Sequence, residues 1–394
     1  MIPVEEALAR LFALSAPLGV ETVALRHAAG RVLAGDVTAR RDQPPFAASA
    51  MDGYAIREED HRPGARLAIT GEAAAGGRFA GRLGAGEAVR IFTGAPVPEG
   101  AGRVVLQEDV TRDGATIALT GQLGEGTNIR PAGQDFRAGD RVVAPRRLSP
   151  RDLALLAAMN VPDVTVARRP VVALIATGDE LVMPGEEPGP DQIIASNSFA
   201  IAAMAEAAGA EARLLPIARD REESLRAAFG MAAGADLVVT IGGASVGDHD
   251  LVADVAADLG LERAFWKIAM RPGKPLMAGR LGPAVLLGLP GNPVSAIVCA
   301  HLFLVPMLAV LQGLPPAPAP RRRARLAEPV GANGAREHYM RARVSAGPEG
   351  AVIAPYSRQD SALIGILTEA NALLLRPAGD PARAAGEMVS YLPL

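Results

Sequence analysis

Three short loops of the chain combine glycine with carboxylate or hydroxyl side chains, and each directly follows a continuous apolar run. They are Thr177-Gly-Asp-Glu-Leu181, Gly242-Gly-Ala-Ser-Val-Gly-Asp-His-Asp250 and Pro290-Gly-Asn-Pro-Val-Ser295. In an open parallel sheet, ligands bind outside the carboxyl ends of the strands, where the three loops are predicted to lie. Each loop ends where a helix is predicted to begin, so free N–H groups and the helix dipole favour an anion there. The second loop is a candidate phosphate site, and the candidate substrate-binding residues of these loops are Gly242, Gly243, Ser245, Gly247, Asn292 and Ser295.

Four carboxylates lie in the first two loops, namely Asp179, Glu180, Asp248 and Asp250. They would repel a bare phosphate, whereas Mg²⁺ prefers oxygen ligands that a protein shares with a phosphate. Each loop taken alone also has a purely structural explanation, since Asp250 can be an N-cap and the second loop a connector. Three such loops at one sheet edge favour a functional site.

Cations are concentrated in the segment Lys267-Ile-Ala-Met-Arg271-Pro-Gly-Lys274. This segment is a candidate for binding a second anion, and a surface cluster of charges is the alternative. In the N-terminal half, the segments around Asp52-Gly53 and Thr93-Gly94 are turn signals on physical grounds alone, with Thr93 a candidate ligand.

Apolar runs alternating with helical patterns must position the loops. Strands are predicted at 171–176, 213–217, 237–241 and 285–289, and helices at 197–208, 222–233, 250–259 and 294–311. This alternation indicates a mostly parallel sheet covered on both faces.

Shorter elements are predicted on both sides of this α/β region. A helix is expected at 4–16, and another begins at Ser149, a good cap, followed by Pro150. Strand candidates broken by glycine and proline lie at 67–69, 88–91, 103–106 and 116–119. After a proline-rich linker, about the last 70 residues are expected to form a small β domain or barrel.

Composition excludes several classes of protein. The 394 residues are too many for one ordinary domain, and the net charge of −3 disfavours a generic nucleic-acid or anionic-membrane binder. The single cysteine, Cys299, excludes an intrachain disulfide and a multi-cysteine metal site, and it fits a cytoplasmic protein.

No secretory signal is recognised at the start. Residues 294–311 are apolar enough for a membrane span, but Ser295, His301 and Pro306 favour a core helix.

Six motifs follow one another along essentially the whole chain. They are Ser49-Ala-Met-Asp-Gly-Tyr-Ala55, Thr93-Gly-Ala-Pro-Val-Pro-Glu-Gly100, Thr177-Gly-Asp-Glu-Leu181, Gly242-Gly-Ala-Ser-Val-Gly-x-x-Asp250, Pro272-Gly-Lys-Pro275 and Leu289-Pro-Gly-Asn-Pro-Val-Ser295. With these motifs in this order, the chain resembles the molybdopterin molybdenumtransferases, which are the bacterial MoeA proteins and the homologous E domain of gephyrin.

The resemblance implies a reaction and an architecture. Such enzymes insert molybdenum from molybdate into adenylylated molybdopterin, use Mg²⁺ and release AMP. The implied subunit is elongated, α/β plus β, and forms a homodimer whose site lies between the α/β domain and the partner's β-rich domain. The implied domains are a discontinuous scaffold (1–50 and 135–168), a β-rich domain (51–134), a molybdopterin-binding three-layer α/β domain (169–314) and a C-terminal β-barrel (318–394).

The resemblance also implies roles for individual residues. The implied catalytic residues are Asp52, Thr93, Asp135, Glu180, Asp220, Asp250, Pro290 and Pro293, with Glu180 and Asp250 on Mg²⁺. The implied anion-binding residues are Lys267, Arg271, Lys274 and, from the C-terminal domain, Arg341.

Two departures from the family pattern stand out. Arg271 replaces a common lysine, which keeps the charge but exchanges a point charge for a planar fork. In Gln359-Asp-Ser-Ala-Leu-Ile-Gly365, Asp360 replaces a glycine and Gly365 replaces a serine, which leaves the ligand contacts of the barrel open.

The sequence leaves three other interpretations open. A molybdopterin adenylyltransferase would lack the β-rich domain with its Met-Asp-Gly-Tyr motif, and a pure scaffold would not need the acidic motifs. A member that inserts tungsten is harder to separate, because tungstate and molybdate differ little. The implied partners are a molybdopterin adenylyltransferase and the maturation proteins of molybdoenzymes, whereas no nucleic acid and no membrane are expected.

Overall fold

The structure, a computed structural model, describes residues 1–243 and 251–394 of the chain. It divides into two units, one formed by Met1–Glu21 with Ala167–Leu394 and the other by Thr22–Val166. The first unit holds an α/β sheet and a closed barrel, and the second consists mostly of strands. The predicted class, α/β plus β, is confirmed.

Continuous apolar runs form the centre of a six-stranded sheet in the first unit. In spatial order its strands are Glu211–Leu214, Val171–Ala176, Leu237–Ile241, Ala284–Leu289, Met277–Leu281 and Leu261–Trp266. The first four are parallel, which confirms the prediction of a mostly parallel sheet. The last two are antiparallel. Neither strand is predicted from the sequence, because Glu262, Arg263 and Arg280 interrupt their apolar pattern.

A proline shortens the first edge strand of this sheet. The sequence predicts a strand at 213–217, whereas the observed strand is Glu211–Leu214. Pro216 has no N–H group to donate to the ladder, so the strand ends before it.

Helices cover both faces of the sheet. They are Val4–Phe12, Asn197–Ala207, Glu222–Met231, Leu251–Asp258, Pro293–Cys299 and Val305–Leu311, the last two joined by a π-helical turn at Ala300–Leu304. The continuous stretch Pro293–Leu311 is apolar enough to cross a membrane, but 78% of its most apolar window is buried inside the protein. It is a core helix, as predicted.

The C-terminal strands close into a five-stranded barrel. They are Arg322–Leu326, Glu337–Gly347, Gly350–Pro355, Ala372–Arg376 and Met388–Pro393, with the short helix Ile364–Glu369 between the third and fourth of them. The barrel closes because Glu337–Gly347 pairs with both Gly350–Pro355 and Ala372–Arg376. A two-residue strand, Met270–Arg271, extends this sheet by pairing with Glu337 and His338. The segment with the predicted anion-binding cations is thus bonded to the barrel.

The second unit is built around another six-stranded sheet. Its strands in spatial order are Arg103–Leu106, Gly53–Ile56, Glu87–Ile91, Arg66–Ala73, Thr116–Leu119 and Val110–Asp113. All four predicted strand candidates of this region are confirmed. Shorter strands of this part of the chain form separate small sheets. They are Val20–Ala24, Val32–Leu33, Val37–Thr38, Ala48–Ser49, Ile129–Arg130, Arg141–Val142, Arg146–Arg147 and Asp163–Ala167.

Ser149 caps the helix Pro150–Ala158, as the sequence predicts. The Asp152 N–H donates to Ser149 Oγ at 3.3 Å, and the Ser149 N–H donates to Asp152 Oδ2 at 2.7 Å. These reciprocal bonds form a capping box. Arg146 adds an ion pair of 2.5 Å to Asp152.

Ser149→Ala is expected to destabilise this helix by about 1 kcal/mol, because a first-turn N–H loses its acceptor. Hydrogen–deuterium exchange of the amides in Pro150–Ala158 measures the change. Ser15→Ala is the control, since the Ser15 hydroxyl donates to Ala16 O and lies beyond the end of the helix Val4–Phe12. Unchanged exchange in Ser149→Ala would contradict the capping role.

Candidate active site

A cavity of about 590 Å³ lies at the carboxyl ends of three parallel strands in the first unit. Its lining comes from all three predicted loops, from the start of the helix Asn197–Ala207 and from single residues elsewhere in the unit, among them Ala362 of the C-terminal region. The lining includes Thr177, Gly178, Glu180, Ile193, Ile194, Asn197, Asp220, Gly242, Gly243, Pro275, Pro290, Gly291, Asn292, Pro293 and Ala362. The structure therefore brings together Glu180, Asp220, Gly242, Gly243, Pro290, Asn292 and Pro293 of the predicted residues. Ser245, Gly247 and Asp250 lie outside the described residues.

Glycine is required where the first and second loops meet. Gly242 and Gly243 have φ values of +98° and +67°, which L side chains rarely adopt. A Cβ atom on Gly242 would lie 2.7 Å from Thr177 O, and one on Gly243 would lie 2.2 Å from Val252 Cγ2. The bare main chain at these positions lets a ligand approach the backbone closely.

Three carboxylates are crowded at one side of the cavity, those of Asp179, Glu180 and Asp220. The Asp220 N–H donates to Asp179 Oδ1 at 3.2 Å. Partial burial of its carboxyl and then the negative charges of Asp179 and Glu180 raise the pKa of Asp220, although part of this residue is exposed. A carboxylate held among like charges in a cleft is typical of functional sites.

Arg219 holds the acidic loop in place. Its Nη1 donates to three main-chain carbonyls, Gly178 O at 3.3 Å, Asp179 O at 3.0 Å and Leu181 O at 2.9 Å. Arg219 is not among the residues predicted from the sequence. Only its position beside Asp220 was available as a signal, because contacts with carbonyls require no particular residue type in the loop.

The third loop is tied to its neighbours by two hydrogen bonds. Asn197 Nδ2 donates to Gly291 O at 2.7 Å, and the Val294 N–H donates to Ser361 O at 3.0 Å. Because Pro293 has no N–H and the Val294 N–H is taken, the start of this helix offers an anion fewer donors than the sequence predicts. Ser295, a predicted ligand, is only 4% exposed and does not line the cavity.

The cationic segment adjoins the cavity through Pro275, which follows Lys274. The Ile268 N–H donates to Lys274 O at 3.0 Å, so the segment folds back on itself. Lys267, Arg271 and Lys274 are not among the lining residues.

A neutral histidine lies next to these cations. Burial and then the positive charges of Arg271, Arg376, Arg336 and Arg341 lower the pKa of His338 to about 4. Its ring therefore adds no positive charge near neutral pH.

Arg341 contacts the main chain of the C-terminal region. Its side chain is 1% exposed and donates to Arg358 O at 3.2 Å and to Leu363 O at 3.1 Å. Gln359 Nε2 donates to Arg341 O at 3.0 Å. These bonds fix the segment whose Ala362 lines the cavity, and Arg341 itself does not line it.

In the second unit, Thr93 binds Asp52. The Thr93 N–H and hydroxyl both donate to Asp52 Oδ1 at 2.7 Å. These bonds, the backbone one foremost, lower the pKa of Asp52. Asp135 lines a separate cavity of about 650 Å³ with Arg130, and Gly94, next to Thr93, lines it too.

Family models match three consecutive parts of the chain. They are the MoeA N-terminal region (domain I and II) at 2–160, the probable molybdopterin binding domain at 173–310 and the MoeA C-terminal region (domain IV) at 323–394. A molybdopterin molybdenumtransferase of Haemophilus influenzae is 39% identical over 300 residues, 75% of this chain and 74% of that protein. Molybdopterin molybdenumtransferase 2 of Mycobacterium tuberculosis is 37% identical over 380 residues, 93% of each chain.

The chain belongs to the molybdopterin molybdenumtransferase family. It is therefore a transferase of molybdenum cofactor biosynthesis, and the resemblance recognised in the sequence is confirmed. Two structures of the molybdopterin biosynthesis MoeA protein from Pyrococcus horikoshii share the fold over the whole chain, with TM-scores of 0.85 and 0.81 at 27% and 32% identity.

The donors at the cavity are of the type that Mg²⁺ prefers. Glu180 and Asp220 offer carboxylate oxygens, and the raised pKa of Asp220 indicates negative charge that a cation would neutralise. Within residues 1–243 and 251–394, no three His, Cys, Asp or Glu side chains are grouped closely enough to hold a metal ion.

Asp220→Asn is expected to raise the melting temperature at pH 7. A folded-state pKa above the unfolded value means that ionisation of Asp220 opposes folding, and the variant removes this cost. Wild type gains stability as the pH falls through the folded-state pKa, so the difference should shrink toward pH ~4, near the unfolded pKa. Thermal melts at both pH values measure this.

Asp113→Asn, on an exposed strand of the second unit, is the control for these melts. An Asp220→Asn protein that is no more stable than wild type at pH 7 would contradict the cost that burial and the neighbouring Asp179 and Glu180 impose on the ionised Asp220 carboxylate.

Proposed function

We propose that this enzyme inserts molybdenum from molybdate into adenylylated molybdopterin, with Mg²⁺-dependent release of AMP. One observation carries the proposal: carboxylates and a glycine-lined main chain face the same cavity. Adenylylated molybdopterin contains a phosphoanhydride. Cleavage of such a bond requires that the negative charge on its two phosphate groups be neutralised. A site with oxygen ligands for a cation beside room for a phosphate suits that substrate.

Residues of both charges would handle the two anionic substrates. Gly242 and Gly243 leave space for the phosphates close to the main chain. Lys267, Arg271 and Lys274 are proposed to collect molybdate, a tetrahedral dianion, because cations and N–H donors suit its oxygens. We propose that Arg341 acts by holding the segment with Ala362 against the cavity.

Glu180 and Asp250 are the proposed Mg²⁺ ligands, and Asp220, which lines the same cavity as Glu180, would add a further carboxylate. Bound Mg²⁺ would polarise the anhydride. Arg219 keeps the first loop in shape through its carbonyls, so that the carboxylates can approach one another despite their repulsion.

We further propose a homodimer with a shared site, in which Asp52, Thr93 and Asp135 come from the partner subunit. The bonds from Thr93, the backbone one foremost, lower the pKa of Asp52 and so favour its ionised form, which suits a residue that positions a metal ion. The four-domain division given above and a cytoplasmic location belong to the same proposal, as do the partnerships with an adenylyltransferase and with maturation proteins.

The decisive experiment incubates the purified protein with adenylylated molybdopterin, Mg²⁺ and molybdate, and measures AMP. Molybdate-dependent AMP formation is expected. Tight binding of the intermediate without AMP release would contradict the transferase reaction and indicate a carrier. A requirement for ATP with release of pyrophosphate would instead indicate an adenylyltransferase. Tungstate in place of molybdate tests the choice of metal.

Glu180→Gln is expected to lower kcat for AMP release by about 10²-fold, the usual cost of removing one preorganised charge in a site. Glu186→Gln is the matched control, since Glu186 accepts from the Met183 N–H and does not line the cavity. Equal kcat values for the two variants would contradict the assignment.

Mixed dimers of Asp52→Asn and Glu180→Gln subunits test the shared site. If Asp52 acts on the partner's cavity, a mixed dimer contains one site with both residues intact, so AMP release should reappear when two inactive proteins are co-expressed. If both residues act within one subunit, each site keeps one defect and the mixture stays inactive. Wild type co-expressed with each variant calibrates the assay.

A further inference from the structure

Lys267 lies against the only tryptophan of the chain. The antiparallel edge strand Leu261–Trp266 ends directly before it. Lys267 Nζ lies 4.1 Å from the centroid of the Trp266 ring, close enough for a cation–π interaction. The Arg263 guanidinium lies 5.3 Å from the same ring.

The backbone at Lys267 is held in a left-handed conformation. Its φ is +66°, which a residue other than glycine keeps only where its surroundings hold it. The Lys267 N–H donates to Leu276 O at 3.2 Å, and Lys267 O accepts from the Ile2 N–H at 3.3 Å. Hydrogen bonds at both its N–H and its carbonyl group therefore fix the direction in which the Lys267 side chain leaves the backbone.

This arrangement lies beside the cavity. Leu276, the main-chain partner of Lys267, follows Pro275, which lines the cavity. The Ile268 N–H bonds to Lys274 O, so both lysines belong to one folded-back segment.

An aromatic face is a particular kind of partner for a lysine. A carboxylate would neutralise the ammonium and accept its N–H bonds, whereas a ring attracts the cation and supplies no acceptor oxygen. A lysine side chain has four flexible carbons, so holding its ammonium in place removes freedom that anion binding would otherwise have to remove. The ring thus fixes the charge and leaves its N–H donors for an anion.

We infer that Trp266 is a positioning residue, whose ring holds the Lys267 ammonium where it binds a tetrahedral oxyanion. The inference rests on the proposed function, since it takes molybdate as the oxyanion that Lys267 binds. Because Trp266 is the single tryptophan, all tryptophan emission of the chain comes from the ring that contacts this ammonium.

The test titrates molybdate into the full-length protein by calorimetry and by tryptophan emission. Trp266→Leu is expected to raise the Kd for molybdate about two- to fivefold, the loss of one cation–π contact. Trp266→Phe, which keeps a weaker aromatic face, should lie between Trp266→Leu and wild type. In the AMP assay, Trp266→Leu should raise the KM for molybdate and leave kcat unchanged.

Two further variants serve as references. Lys267→Met should weaken molybdate binding more than Trp266→Leu does and should abolish the emission change seen in wild type. Arg263→Gln removes the other cation from the ring and should bind molybdate like wild type. Circular dichroism establishes that each variant is folded, and Trp266→Phe replaces Trp266→Leu if the latter is not.

The outcomes separate this inference from the proposed function. Molybdate binding weakened by Lys267→Met and untouched by both Trp266 variants would overturn the inference alone. Binding untouched by Lys267→Met would overturn the proposed role of Lys267 and the inference with it, whereas molybdate-dependent AMP release would still support the transferase reaction. Wild-type emission unchanged by saturating molybdate would also overturn the inference.

Discussion

The close approach of the main chain at Gly242 to Thr177 sets the geometry of the candidate active site. The Thr177 N–H donates to Ile241 O at 3.0 Å, and the Gly242 N–H donates to Leu289 O at 3.1 Å. The parallel ladder thus continues past the ends of three strands into the loops. A side chain on Gly242 would collide with Thr177. The first and second loops can therefore lie this close together only with glycine at position 242, and their close approach shapes this side of the cavity.

Charge is distributed unevenly around this geometry. Carboxylates are crowded on the first loop and at Asp220. The predicted anion-binding cations lie in the segment 267–274, which follows the edge strand of the sheet and pairs with the barrel. Each group is kept in place by contacts that do not neutralise it. Arg219 bonds to carbonyls, and Lys267 rests on an aromatic ring. Both groups therefore keep charge available for a ligand.

The sequence predicted best what depends on local pattern. The strands Val171–Ala176 and Leu237–Ile241 were located to the residue, because their apolar runs end at unmistakable glycine loops. The family and its fold followed from six motifs. Residues that act on the backbone were missed, Arg219 and Asn197 among them, since no local pattern reveals a bond from a side chain to a distant carbonyl.

The prediction for Arg341 shows a second limit of the sequence. Its motif identified the residue, but only the structure shows that its guanidinium is buried and bonded to main-chain carbonyls. Contacts of this kind depend on burial and on which segments meet, neither of which a single sequence displays. The individual roles of the site residues remain predictions for the same reason.

The pairing of Met270–Arg271 with Glu337 and His338 makes the barrel part of the site's framework. Because side chains alternate along a strand, a slip of one residue in that pairing would turn Arg271 to the opposite face. The register of this pairing therefore fixes the orientation of Arg271 relative to the barrel. An insertion or deletion in that barrel strand would therefore shift the segment that carries the predicted anion-binding cations, although it lies far from that segment in the sequence.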